Sequence, residues 1–246
     1  MSEQEYCGKE LHLFAAVRNW KQYWSQAIRE YVSGDVLEVG AGTGSNTEFL
    51  SSNSSGRWVC LEPDPRLLAQ LRQKLEAKAQ RNYETICGTM RTIDSAWQFD
   101  TIIYIDVLEH IEDDRGELKS AAAHLRPGGC VIVLSPAHQW LFTPFDAAIG
   151  HFRRYNRSML RSISPPELCV ERLMYLDSVG MLASAANRLL LRQSMPTETQ
   201  LQFWDGRIIP VSRVFDVLLR NSLGKSIIGV WRKPDAAAGR DNRADY

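Results

Sequence analysis

Three sets of residues in this 246-residue chain have the types and spacing that chemistry needs. The first lies between Pro136 and Tyr155, where His138, Asp146, His151, Arg153 and Arg154 sit among Trp140, Phe142, Phe145 and Phe152. An imidazole titrates near neutral pH, so His151 is the first candidate for general acid–base work, with His138 and Asp146 behind it. Arg153 and Arg154 could clamp a carboxylate or phosphate by paired hydrogen bonds, or pair structurally with Asp146 or Glu167. The second set is Asp106, Glu109 and His110. At the start of a helix, spacings of three and four would place all three on one face, where they could share a divalent cation. The alternative is that they support the site by hydrogen bonding, and on that reading no metal is assigned. The third set is Glu38, the run Gly40-Ala41-Gly42-Thr43-Gly44, and Glu62.

These residues must be positioned by strands and helices that the sequence also encodes. Asp35 to Val39 is a short apolar run of buried-strand type leading straight into the glycines. A helix over roughly Thr43 to Leu50 and a polar turn, Ser51 to Gly56, precede a second apolar run, Arg57 to Leu61, which ends on Glu62. In such a βαβ unit, an acidic residue about 20 positions past the glycines lies at the neighbouring strand's carboxyl end and can accept hydrogen bonds from two ribose hydroxyls. The expected ligand therefore contains a nucleoside. The glycines follow a Gly-x-Gly-x-Gly spacing, and the Glu38 carboxylate stands just before them. A negative charge there disfavours a pyrophosphate and suits an ammonium or sulfonium, which points to S-adenosylmethionine rather than NAD.

The run Val36-Leu37-Glu38-Val39-Gly40-Ala41-Gly42-Thr43-Gly44 resembles the first motif of class I S-adenosylmethionine-dependent methyltransferases. Phe99 to His110, ending Asp106-Val107-Leu108-Glu109-His110, resembles the family's fourth-strand motif, and Leu125-Arg126-Pro127-Gly128-Gly129 the turn before its fifth strand. The resemblance spans roughly residues 35 to 135, in the Leu-Glu-His subgroup of small-molecule enzymes. It implies S-adenosyl-L-methionine as cofactor, leaving as S-adenosyl-L-homocysteine. It also implies cofactor contacts at Glu38, Gly40, Gly42, Gly44, Glu62, Pro63, Thr89, Met90, Asp106 and Val107. Thr89 stands where the family usually has an acidic residue. A Gly-His-x-Arg-Arg-Tyr element after strand five, Gly150 to Tyr155, resembles a subset of these enzymes.

The expected fold is α/β: a doubly wound, Rossmann-like, seven-stranded and mostly parallel sheet with helices on both faces. Residues 1–233 are read as one domain, with an N-terminal helical cover over 10–31, an acceptor-side loop over 136–157 and a helical insertion over 177–222. The polar, alanine-rich stretch 234–246 is read as a disordered tail. In the cover, Leu13, Val17, Trp20, Trp24, Ala27 and Tyr31 recur at helical spacing. Further strands are expected at Tyr83–Cys87, Ile102–Ile105, Cys130–Leu134, Leu168–Leu176 and Ser226–Trp231. Pro65 should open a helix capped by Asp64 with Leu68, Leu71, Leu75 and Ala79 buried, and Asp113 and Asp114 should open another ending near His124. Leu182, Ala185, Ala186, Leu189 and Leu190, then Val211, Val214, Phe215, Leu218 and Leu219, give two amphipathic helices that form a cap, a homodimer surface, or both.

Formal net charge is zero with 24% charged residues, so neither nucleic acid nor a membrane surface is expected as partner. The apolar stretch Val179 to Leu191 is broken by Asn187 and Arg188 and is too short to span a bilayer. With a polar Met1 to Lys9 and five scattered cysteines, Cys7, Cys60, Cys87, Cys130 and Cys169, a cytoplasmic protein with reduced thiols is expected. The activity these readings imply is methyl transfer to an O, N or C atom of a small, partly apolar acceptor. A non-catalytic binding module for the same cofactor and an NAD-dependent oxidoreductase are the alternatives.

Overall fold

The computed structural model describes residues 16–76, 83–186 and 197–235. Its frame is a seven-stranded sheet: β1 (Val36–Val39), β2 (Trp58–Glu62), β3 (Tyr83–Cys87), β4 (Phe99–Ile105), β5 (Leu125–Pro136), β6 (Cys169–Leu176) and β7 (Ser226–Arg232). The order across the sheet is β3-β2-β1-β4-β5-β7-β6, with β7 antiparallel to both its neighbours and the other pairings parallel. The expected doubly wound α/β fold is what forms.

Strand period explains the two cores. Along β4, Ile103 and Ile105 face one side with Trp24, Trp58, Ile132 and Ile228, while Ile102 and Tyr104 face the other with Leu118, Ala121, Val131 and Leu160. Apolar residues in direct succession are what a strand covered on both faces requires, and each fully buried side chain is worth about 1.5–3 kcal/mol. The first core is covered by α1 (Arg18–Ile28), which buries Trp20, Lys21, Tyr23, Trp24 and Ile28. Residues 10–15 of the expected cover lie outside the described residues.

The glycines end β1 differently from the expectation. Gly40, Gly42 and Gly44 all have positive φ, and the helix that follows, α2, occupies only Thr47–Leu50 instead of starting at Thr43. Successive left-handed turns keep the chain out of helical geometry until Asn46. α3 (Pro65–Glu76) begins as expected, with Asp64 accepting from the Arg66 N–H at 2.7 Å and Leu68 and Leu71 buried. Ala79 lies outside the described residues. α4 (Asp114–Ala123) is capped by Asp113, which accepts from the Gly116 N–H at 2.9 Å.

The acceptor-side loop holds α5 (Pro144–Ala148) and leads to α6 (Arg157–Ser162). The insertion between β6 and β7 contains α7 (Ser178–Ala186), α8 (Glu198–Phe203), a wide turn over Trp204–Ile208, and α9 (Ile209–Leu218). Leu189, Leu190 and the tail beyond Asp235 lie outside the described residues. α9 turns Ile209, Ser212 and Asp216 inward, leaving Val211, Val214, Phe215 and Leu218 exposed. Polar residues win the buried face because Asp216 accepts from the backbone N–H groups of Asp177 (2.6 Å) and Ser178 (2.9 Å) and from the Tyr23 hydroxyl (2.8 Å). The expected dimer surface would lie on the outward apolar face. No helix of the described residues is long and apolar enough to cross a membrane. Cys60 and Cys130 are free and buried, while Cys87 and Cys169 are free and exposed.

Candidate active site

Parallel strands deliver their carboxyl ends to one edge, and the glycine loop, Glu62, Asp106 and Val107 collect there. The glycine loop leaves β1 with the N–H groups of Gly40 and Ala41 donating to the Leu61 carbonyl (2.8 and 3.1 Å). Glu62, at the end of β2, accepts from the Gly42 N–H (2.8 Å) through one oxygen and from the Asp64 N–H (2.9 Å) through the other. It is 5% exposed, and burial raises its pKa. Its carboxylate thereby fixes the loop and keeps lone pairs free for further donors. A Cβ on Gly40 would lie 2.5 Å from Val107 Cγ2, so the turn after β4 closes directly onto the loop. Pro63 and Thr89 are exposed, whereas Met90 is 1% exposed and packs in the second core.

Glu38 is held beneath the glycine loop. Alternation along β1 turns its side chain into the first core, where Oε2 accepts from Thr47 Oγ1 (2.8 Å) and Trp58 Nε1 (2.9 Å). At 3% exposed, it supports the loop from beneath, and burial pushes its pKa up to about 7.

Asp106 ends β4 with φ 54° and donates its N–H to the Leu134 carbonyl at 2.8 Å. Its carboxylate reaches solvent, but protein crowds round it and pushes its pKa up to about 6, opposed by the charges of His151, Lys21 and Lys225. Asp106 does not share a helix face with Glu109 and His110, because the latter two sit in a short 3-10 turn, Leu108–His110. The third partner there is His151. One ligand atom from each of Glu109, His110 and His151 lies within 4.8 Å of the others.

The element Gly150 to Tyr155 is a clasp that sets up this arrangement. Gly150, at φ 84°, turns the chain after α5. Arg154 donates twice to Asp146 (2.8 and 2.9 Å), Arg153 pairs with Asp114, and the Tyr155 hydroxyl donates to Asp114 at 2.8 Å. Neither arginine is left to clamp a ligand. Asp146 also accepts from the Thr143 N–H and hydroxyl (both 2.8 Å), and hydrogen bonds from His151 and Arg154 hold its carboxyl below the usual range despite its burial. A carboxylate so engaged is a poor proton acceptor but a good anchor: its Oδ1 lies 3.1 Å from His151 Nδ1. In a neutral ring with Nδ1–H donating to that anion the lone pair would be on Nε2, which faces Glu109 Oε1 at 3.9 Å. The His110 ring meets that of His151 edge-on at 4.5 Å, and crowding together with the His151 charge pushes the His110 pKa down to about 4.

His138 stands apart. It stacks on Tyr175 at 4.8 Å and makes no hydrogen bond to His151 or Asp146. Three residues that were not singled out do reach the edge or its cover. Lys225 begins the approach to β7, which arrives at this edge because it runs antiparallel, and Lys225 Nζ lies 4.7 Å from the Trp204 ring. Asp205 accepts from the N–H groups of Arg18 (3.0 Å), Asn19 (3.1 Å) and Trp20 (2.8 Å), capping α1 from the insertion. Lys21 is 4% exposed within α1. It was detectable in principle, since it lies on the apolar stripe of Val17, Trp20, Trp24 and Ile28 where a cation is out of place.

Residues 37–131 match a family described as "Methyltransferase domain". A ubiquinone biosynthesis O-methyltransferase of Bradyrhizobium diazoefficiens is 31% identical over 106 residues, covering 43% of this chain and 41% of that protein. The chain thus spans less than half the length of this curated relative. A putative sarcosine dimethylglycine methyltransferase from Galdieria sulphuraria shares the fold, with TM-score 0.64 and 16% identity over 94% of this chain and 99% of that one. So does the [4+2]-cyclase SpnF, with TM-score 0.60 and 14% identity over 87% and 81%. Residues 37–131 thus match a methyltransferase domain, and the chain shares its fold with solved methyltransferases.

Proposed function

We propose that the protein transfers a methyl group from S-adenosyl-L-methionine to a small, partly apolar acceptor by in-line displacement. The observation that carries this is the convergence, at one sheet edge, of the glycine loop braced by Glu62 with Asp106 and the His151–Asp146 pair. The cofactor, when bound, supplies the electrophilic methyl carbon. The chain's own part is to hold donor and acceptor near collinear. Glu62 receives the ribose hydroxyls, Gly40 to Gly44 let the backbone approach the methionyl portion, and Asp106 and Val107 border the transferred group. The relative named for O-methylation favours a hydroxyl acceptor, whose proton must leave. His151 Nε2 takes it, and Asp146 acts as the positioning residue that holds the ring and stabilises the imidazolium.

In a second reading Glu109, His110 and His151 would hold a divalent ion, since two imidazoles and a carboxylate converge and Asp146 backs one of the rings; His151 Nε2 would then be a ligand and not the base. An ion there would lower the pKa of an acceptor hydroxyl. The SpnF likeness shows that this fold also carries other chemistry, so turnover is the discriminating test. Incubation with methyl-deuterated S-adenosylmethionine and a small-molecule extract should yield a labelled product by mass spectrometry. His151→Gln should lower kcat at least about tenfold with little change in the KM for the cofactor. Binding of S-adenosylhomocysteine without any labelled product would contradict the transferase reading.

A further inference from the structure

We propose that the insertion between β6 and β7 docks on an anionic lipid bilayer, with the outward face of α9 laid into the interface and Arg207 and Arg220 on the headgroups. The inference stands apart from the methyltransferase reading and concerns a face that methyl transfer does not use.

Apolar exposure on this molecule is concentrated. Of the twelve large apolar side chains exposed among the described residues, nine lie between Leu182 and Leu223. Val214, Val217 and Leu218 of α9 are 61%, 71% and 72% exposed, and Val211 and Phe215 join them along the helix. Single exposed apolar residues are ordinary, but a run at helical spacing marks a surface that meets something else. α9 cannot turn that run inward, because its other face is committed. Asp216 accepts from Tyr23 and from the N–H groups of Asp177 and Ser178, and the Ser212 hydroxyl donates to Asp177 at 2.6 Å.

Charge selects the occupant. Glu198 is the one exposed acid among the described residues of the insertion, since Asp177, Asp205 and Asp216 are buried and engaged in hydrogen bonds. Arg207, just before α9, and Arg220, just after it, are exposed and make no ion pair among the described residues. In sequence, Arg188 and Arg192 bracket Leu189, Leu190 and Leu191 within the same insertion. The zero net charge of the whole chain conceals this local excess of cations. Aliphatic side chains flanked by arginines are the complement of acyl chains beneath anionic headgroups, and arginine stems lie on apolar surface while their guanidinium groups stay in water. A second copy of this chain fits less well, because a two-fold contact through this face brings the arginines of both copies to one seam.

Sedimentation with lipid vesicles is the test, and it requires no turnover. With vesicles of equal parts phosphatidylcholine and phosphatidylglycerol, the bound fraction of the wild-type chain should exceed that with phosphatidylcholine alone at least about fivefold, and added salt should reduce it. Val214→Asp combined with Leu218→Asp should lower binding to the anionic vesicles at least about tenfold, and Arg207→Gln combined with Arg220→Gln at least about threefold. Tm should not change in either double variant, because all four side chains are exposed. Equal binding to both vesicle types, or binding that the aspartates leave intact, overturns the proposal. So does a wild-type chain that binds neither; if it then elutes as a dimer that the aspartates split, the face belongs to a second copy.

Discussion

Asp146→Asn is the substitution that best exposes how the acceptor side is held together. The side chain is 1% exposed, and its two oxygens accept from Arg154 Nε at 2.8 Å, Arg154 Nη2 at 2.9 Å and Thr143 at 2.8 Å, with His151 Nδ1 at 3.1 Å. Asparagine keeps the shape but loses the charge and one acceptor, leaving the buried Arg154 guanidinium without its counter-ion. Breaking a buried pair by removing one partner costs about 3–5 kcal/mol. Against a total stability of about 5–15 kcal/mol, that is a large fraction, and for a chain of this size it lowers Tm by about 6–20 °C. Urea denaturation at pH 7 measures it, with Asp64→Asn as control: Arg66 also holds the Asp64 carboxyl low, but that guanidinium is 68% exposed and the pair should contribute nothing measurable.

The pH dependence has a definite sign. The folded-state pKa of Asp146 lies below its unfolded value, so its contribution is complete above about pH 4 and is lost as pH falls further. The stability gap between wild type and Asp146→Asn should therefore stay constant from about pH 5 to 8 and shrink in acid. A loss of less than about 1 kcal/mol at pH 7 would refute the view that this pair is desolvated and structural.

Further expectations follow from the loop and its supports. Gly40→Ala must adopt φ +66° and press Val107 at 2.5 Å, so stability should fall by at least about 1–2 kcal/mol in denaturant titration and cofactor affinity should fall with it. Glu38→Gln keeps an acceptor for Thr47 and Trp58 while removing a buried charge whose folded pKa, about 7, lies above its unfolded one. It should therefore stabilise the protein by about 1–2 kcal/mol at pH 8, with the gain disappearing near pH 5, and destabilisation at pH 8 would contradict the assignment. Glu62→Ala should cost about 1–3 kcal/mol of S-adenosylhomocysteine affinity through lost charge-assisted hydrogen bonds. Unchanged affinity in the folded variant would remove the ribose contact.

What the sequence shows well is local. Val36 to Glu62 reads as a strand, glycine turn, helix and strand because apolar runs and glycines report backbone requirements within a few residues. The strand positions follow for the same reason. What it hides depends on pairings across the chain. Asp205 caps α1 from a distance of 185 residues in sequence, measured to Trp20, and nothing near Val17 announces that helix start. Asp216 is buried because it serves Tyr23 and the start of α7, which reverses the face that apolar periodicity alone would bury. The surroundings of His151 are visible only in three dimensions: Asp146, held by Arg154, lies 3.1 Å from its Nδ1. The charge of Glu38 beside the loop does not tell which side of the strand it occupies; its bonds to Thr47 and Trp58 do.

A crystal structure with S-adenosylhomocysteine bound tests the central claim most directly. The ribose hydroxyls should lie within about 3.2 Å of the Glu62 carboxylate. The methionyl head should lie over Gly40 to Gly42, and the sulfur should point toward Asp106 and His151. Ligand bound at the opposite sheet edge, or with its ribose away from Glu62, would contradict it.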